Sequence, residues 1–150
     1  METLLFTIDG RRYLIPLTQV AEVVPAVNVL PLRNAPSIVE GAVNVRGEIL
    51  PVLSLRARLG HATREVQSSE YFILVRGRAR RAILRSDTTP EIVSLPEPGE
   101  VGPERVDQAI AGVRPMPDGL ALFQDVDAFI EAIDVSDLTS ALERMQEVVS

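Results

Sequence analysis

Apolar residues in this chain return at every second position, in short runs punctuated by glycine, proline and polar turns. Alternation places successive side chains on opposite faces, so runs of this kind form half-buried strands. Many short strands at such spacing predict an all-β sandwich or barrel. "TLLFTI" (3–8) runs into Asp9-Gly10, a two-residue hairpin turn because both positions tolerate positive φ. "RRYLIPL" (11–17) follows, with Tyr13, Ile15 and Leu17 on one face. Pro16 has no backbone donor, so this strand lies at an edge there or ends soon after.

The rest of the chain continues the pattern. "TQVAEVV" (18–24) reads as a short helical turn capped by Thr18 and closed by Pro25. "VNVLPL" (27–32) is extended, and "NAPSIVE" (34–40) is a connector with one helical turn started by Pro36. Residues 42–55 form two strands around Arg46-Gly47-Glu48, and the polar stretch 60–70 is a loop. "YFILVRG" (71–77) and residues 80–86 make another hairpin, and "EIVSL" (91–95) is a short strand. "PEPGEVGPERVD" (96–107) has the composition of a linker. "AIAGVRPM" and "GLALFQDV" flank the turn Pro117-Asp118-Gly119. Residues 127–133 and 136–149 read as helices. In the second, Leu138, Leu142, Met145 and Val149 form a stripe that Ala141 and Val148 widen, the breadth needed to dock on the chain's own barrel. A helix-mediated dimer is the alternative use of that stripe.

There is also an internal echo. "FTIDGRRYLIPLTQVAEVV" and "ILVRGRARRAILRSDTTPEIV" both run strand, turn, strand, then a glutamate with two branched apolar residues. Glu22-Val23-Val24 matches Glu91-Ile92-Val93, as two copies of one small β-unit would require.

Composition narrows the function. A chain of 150 residues suits one compact domain, or two very small units sharing a core. It contains no cysteine, which excludes disulfides, a thiolate nucleophile and cysteine metal sites. Its 15 basic residues are all arginine, which excludes a Schiff-base lysine and a phosphate-loop lysine. His61 is the only histidine; it cannot build a multi-histidine metal site and reads as a solvated loop residue. No nucleophile elbow, phosphate loop or paired metal-ligand motif is present, so neither cofactor nor metal is expected. Residues 1–86 hold 12 arginines and 7 acidic residues, whereas residues 87–150 hold 3 and 14. The acidic second part argues against nucleic-acid binding. Neither a secretory leader nor an apolar run near the ~20 residues of a membrane span is evident, so a soluble, cytoplasmic protein without membrane insertion is expected. Arg76, Arg78, Arg80, Arg81 and Arg85 crowd one hairpin. They suit an acidic partner or, the favoured reading, an edge strand guarded by charge.

"GAVNVRGEILPVLSLR" (41–56) holds an arginine–glycine pair inside an apolar run. Val43 and Val45 share one face; Ala42, Asn44 and Arg46 share the other. Beyond Gly47, apolar residues alternate on both faces, which implies burial on both sides. Arg46 therefore stands at the end of an anchored hairpin. Its guanidinium offers a planar fork of donors to a partner carboxylate or carbonyl, or else caps the barrel's own carbonyls or simply points to water.

With the following residues, "GAVNVRGEILPVLSLRARLG" resembles the central signature of the CheW family, the coupling proteins of bacterial chemosensory arrays. "PLTQVAEVV", "LPLRNAPSIVEG" and the later Glu-Ile-Val-Ser-Leu agree in order. The resemblance implies an all-β fold with short helices: two packed, small Src-homology-3-like β-barrels within one CheW-like domain over 1–150, with a C-terminal helix at about 136–149. It implies an adaptor without enzymatic activity. The adaptor bridges the cytoplasmic tip of a methyl-accepting chemoreceptor to a CheA-type histidine kinase, with other CheW-like proteins as further partners. By position, the implied receptor-binding residues are Val20, Glu22, Gly41, Asn44, Arg46 and Ile92. A helix laid in a groove needs such branched residues at the floor and a few charges at the rim.

The chain departs from the family pattern in places: Val45 stands where the signature has leucine, a mild change. Ser54 stands where the pattern has aspartate, which removes a charge and a structural hydrogen bond. Arg85, Ser86 and Thr89 replace apolar positions, and the segment after Leu95 is short, so an interbarrel strand is expected to be truncated. These changes point to a weakened or lost kinase-binding face. The alternative function is a small β-barrel enzyme or ligand-binding protein of unrecognised type.

Overall fold

A computed structural model describes residues 1–32, 35, 38–78, 80–95, 113–116, 119–123, 126, 142–143 and 145–146. Strands β1 (Glu2–Ile8) and β2 (Arg11–Pro16) form the first hairpin. A 3-10 turn over Leu17–Gln19 leads into β3 (Val20–Pro25). Strands β4 (Val39–Val45) and β5 (Glu48–Leu53) make the second hairpin, followed by helix α1 (Leu55–Leu59). Strands β6 (Tyr71–Arg76) and β7 (Arg81–Ser86) make the third, and β8 (Glu91–Ser94) follows. Short strands β9 (Val113–Pro115) and β10 (Ala121–Phe123) flank the expected turn.

The strands form two five-stranded sheets, ordered β8-β1-β2-β10-β9 and β3-β6-β7-β5-β4. The two orders are one topology read twice, and the internal echo is its trace. Each hairpin sends its third strand to the other sheet: β3 pairs with β6, and β8 pairs with β1. The registers correspond residue by residue. Glu22, Val23 and Val24 oppose Leu74, Ile73 and Phe72, as Glu91, Ile92 and Val93 oppose Leu5, Leu4 and Thr3. Each hairpin's second strand also takes a parallel neighbour, Leu14 beside Leu122 and Ile83 beside Val52.

Alternation along the strands builds two cores. Leu4, Phe6, Ile8, Tyr13 and Ile15 meet Ala42, Ile49, Leu53, Ile73, Val75 and Leu84 between the sheets. Phe6 packs on Tyr13 and Phe123, with ring centroids 5.7 and 5.9 Å away. Leu142 of the C-terminal helical segment is buried in this same cluster and Met145 packs on it, as the helix stripe anticipates. Leu138, Ala141, Val148 and Val149 lie outside the described residues, as do most of 127–149 and the linker at 96–107. Val43, Leu50, Val52, Phe72, Leu74 and Ile83 form a second cluster on the other face of the second sheet. That sheet curls into a barrel, because the extended chain after β3 returns to its far edge. There Leu30 and Ala42 exchange two backbone hydrogen bonds of 2.8 Å.

Several expectations are corrected. Residues 18–24 are not a helical turn capped by Thr18: the turn lies at Leu17–Gln19 with no side-chain cap, and Val20–Pro25 is a strand. Its β-branched valines pair with β6, and tertiary pairing overrides the local signal. Leu55 opens a helix instead of ending a strand. Ser54 is the cap of that helix, its Oγ accepting from the Ala57 amide at 3.2 Å, so the hydroxyl supplies a structural hydrogen bond at this position. The connector turn at Pro36 falls outside the described residues.

The arginine-rich hairpin is also corrected. β6 and β7 are interior strands of their sheet, so the charges do not guard an edge. Arg85 points inward, only 7% exposed. It donates to both oxygens of Glu70, which is 0% exposed, at 2.8 and 3.0 Å, and to Glu40 at 2.5 Å. Ser86 is buried as well and donates to the Thr88 carbonyl. Arg81 meets Glu48 at 3.1 Å on the surface.

A second polar network ties the β1–β2 turn to α1 and to the end of β7. Arg56, nearly buried, donates to Asp9 at 2.8 Å and to Asp87 at 2.7 and 2.6 Å. His61 is not a solvated loop residue. Its Nε2 lies 2.9 Å from the Tyr13 hydroxyl and its Nδ1 lies 3.3 Å from Asp9. Burial pushes the Asp87 carboxyl up, but the Asp9 amide and the Arg56 guanidinium outweigh it and hold Asp87 below its ordinary value.

Candidate functional site

The signature hairpin is built around a turn that demands positive φ twice. Arg46 has φ of 50° and Gly47 of 89°, the mirror-image turn whose twist matches a two-residue hairpin. The first turn has the same form, with Asp9 at 50° and Gly10 at 78°. Aspartate tolerates that region; arginine does so at a cost, and such departures collect at functional positions. The sequence points to Gly47 but gives no sign that Arg46 shares its conformation.

Three contacts brace the turn. Asn44 Oδ1 accepts from the Gly47 amide at 2.8 Å. Gln146 donates to the Gly47 carbonyl at 2.9 Å and accepts from the Ile49 amide at 3.1 Å. Arg46 itself reaches across to β3, donating to the two oxygens of Glu22 at 3.2 and 2.6 Å. This ion pair spans from the hairpin tip to the strand at the opposite end of the second sheet. Hydrogen bonding from Arg46 holds the Glu22 carboxyl below its usual range. The pair faces water, with Arg46 69% and Glu22 34% exposed. Arg46 thus retains much open surface while its fork is already half engaged.

The six sequence-derived candidates do not form one cluster. Glu22, Asn44 and Arg46 meet at the hairpin tip. Val20 is separated from Glu22 by a bulge, where the register moves from Val20 opposite Val75 to Glu22 opposite Leu74. Residues two apart would normally share a face; the bulge sends Val20 toward the inter-sheet core and Glu22 to the other side. Gly41 is buried, and a Cβ there would strike the Leu30 carbonyl oxygen and lie 2.6 Å from Val29 Cγ1. Its place in the fold is a close backbone crossing.

Ile92 stands on β8, at the edge of the other sheet, and is 64% exposed. It opposes Leu4, and its counterpart Val23, also exposed, opposes Ile73. Directly opposed residues share a face. Leu4 and Ile73 belong to the inter-sheet core, so Ile92 and Val23 lie at the rim of that layer. The sequence echo already pairs Val23 with Ile92.

A cavity of about 590 Å³ lies elsewhere, lined by Val29, Pro31, Glu40, Arg64, Val66 and Arg85 among others. Its Glu40 and Arg85 are already paired. Of the three departures at 85–89, Arg85 and Ser86 turn inward and only Thr89 is exposed. Among the described residues, no cluster of His, Cys, Asp and Glu could hold a metal ion, and no helix is long and apolar enough to cross a membrane.

Comparison with known proteins places these features in a family. The chain is 26% identical over 94 residues to the chemotaxis protein CheW of Rhizobium meliloti, covering 63% of this chain and 61% of that one. It is 28% identical over 71 residues to the chemotaxis protein CheW of Helicobacter pylori, covering 47% and 43%. The matched stretches thus span about half the length of these curated relatives. The crystal structure of the scaffolding protein TtCheW from Thermoanaerobacter tengcongensis has the same fold: TM-score 0.68, 24% identity, covering 81% of this chain and 86% of that one. The family pattern of the CheW-like domain matches residues 2–134, and the chain belongs to the CheW-like domain family.

Proposed function

We propose that this protein is a non-enzymatic adaptor of bacterial chemosensory signalling. It binds the cytoplasmic tip of a chemoreceptor and couples it to a CheA-type histidine kinase. The two sheets and the C-terminal helix act in this as one domain. The observation that carries the reading is Arg46: an exposed guanidinium, held at positive φ on a tip braced by Asn44, Glu22 and Gln146. A fork fixed in this way loses little freedom when it meets a carboxylate or a helix-terminal carbonyl on a partner. The exposed Val23 and Ile92 at the rim of the inter-sheet layer suit an apolar helix face.

The test measures receptor and kinase separately. Arg46→Glu is titrated against a helical-hairpin fragment of a chemoreceptor tip. Reversing a central charge reduces affinity about ten-fold or more. Unchanged affinity removes Arg46 from the site. Direct binding of the kinase's regulatory region by the unaltered protein supports coupling; its absence, with receptor binding intact, reduces the adaptor to its receptor half. A location at receptor arrays belongs to the same reading and is checked by imaging a fluorescent fusion with and without receptors.

A further inference from the structure

The β4–β5 hairpin has an unpaired stretch of backbone, and a residue far away in sequence completes it. In a two-residue hairpin the residues flanking the turn form the hydrogen-bonded pair; here these are Val45 and Glu48. The next pair, Asn44 opposite Ile49, therefore points its backbone groups away from the partner strand. Ala42, two residues on, obeys the same rule: its amide and carbonyl both turn outward to Leu30. Among the described residues no such strand pairs with Ile49. The parallel neighbour β7 pairs with β5 at Val52, and Ile49 lies before that point. Pro51 carries no amide to leave unpaired.

Gln146 fills the gap. Its side-chain amide offers one acceptor and one donor, the pair that a neighbouring strand's peptide group would present. Oε1 accepts from the Ile49 amide and Nε2 donates to the Gly47 carbonyl. The two bonds grip both sides of Glu48, and Gly47, which takes one of them, is the residue next to Arg46. Leu142 of the same helical segment is buried in the inter-sheet core and Met145 packs against it, so the clamp has a fixed base.

We infer that Gln146 is a positioning residue for partner binding: it stands in for a missing strand and fixes the turn that aims Arg46. This rests on the adaptor reading above. It couples the C-terminal helical segment to the receptor contact, although Gln146 need not touch the receptor.

The experiment is a double-mutant cycle in the full chain. Gln146→Met keeps length and apolar packing but removes both hydrogen bonds. Binding of a chemoreceptor-tip hairpin fragment is measured for the unaltered protein, Gln146→Met, Arg46→Glu and the double variant, with amide hydrogen exchange at Ile49 alongside. The expected result is faster exchange at Ile49 and about five-fold weaker binding in Gln146→Met, with no further loss when Arg46→Glu is already present. If Gln146→Met does not fold, as judged by circular dichroism, Gln146→Glu takes its place. It keeps the acceptor for Ile49 but sets a carboxylate against the Gly47 carbonyl, and the same cycle applies.

Unchanged affinity in a folded Gln146 variant, or losses that simply add, overturns the inference. The two failures are distinguishable. If Arg46→Glu weakens binding and Gln146→Met does not, only the positioning role falls. If the unaltered protein does not bind the fragment, the adaptor reading falls and takes this inference with it.

Discussion

Replacing Arg85 by methionine strands a carboxylate in the interior. Glu70 has no exposed side-chain surface, and Arg85 supplies two of its hydrogen bonds, at 2.8 and 3.0 Å. What remains is the Gln67 amide at 2.7 Å and Arg64 at 3.7 Å, too long for a hydrogen bond. Glu40 loses its partner in the same step. Removing one member of a buried ion pair costs about 3–5 kcal/mol, because the other charge stays desolvated. A domain of this size has about 5–15 kcal/mol in all, so the variant should be near the limit of folding. Urea unfolding followed by far-ultraviolet circular dichroism measures the change; the chain has no tryptophan to report it. At about 2 kcal/mol per molar urea, the midpoint falls by about 2 M. Adding Glu70→Gln to the same chain removes the stranded charge, keeps an acceptor for Gln67, and recovers about 1–2 kcal/mol. A loss below about 1 kcal/mol for Arg85→Met would refute the reasoning, because that is the range of exposed pairs.

Gly41→Ala places a methyl group on the Leu30–Ala42 crossing and should cost about 2 kcal/mol or more in the same assay; unchanged stability would free Gly41 to be a pure contact residue. Arg46→Asn puts a residue that tolerates positive φ at the turn, so thermal stability should hold or rise while receptor binding weakens. A fall in both would make Arg46 structural. Asp87, held below its ordinary value when folded, adds stability above about pH 3.9 that is lost as pH falls through the folded value. Asp87→Asn should therefore be less stable than the unaltered protein at pH 7, with the gap closing below about pH 4; a gap constant with pH would show that the shift contributes nothing.

Much of the candidate site was legible because it depends on local chemistry. The Arg46-Gly47 turn and its flanking strands follow from residues adjacent in the chain. What was not legible depends on distant residues. Gln146 is about a hundred positions from the turn it braces, and only packing of the helical segment on the inter-sheet core brings it there. The bulge that parts Val20 from Glu22 leaves no signature, since the local pattern of 18–24 points to a helical turn and only pairing with β6 draws it into a strand. Arg85 looked like surface charge because its buried partners, Glu70 and Glu40, come from a loop and another strand.

Period-two alternation, paired turn residues and the repeated unit by themselves determined that this chain is made of short strands, where its hairpins turn, and which of its residues echo one another. They could do so because backbone sterics and the pleat act over a few residues. The tertiary structure alone decided which sheet receives each third strand, which charges are buried, and what holds Arg46 in place. Those outcomes come from closing a barrel and packing two sheets, where the free energy belongs to contacts between residues that the chain keeps far apart.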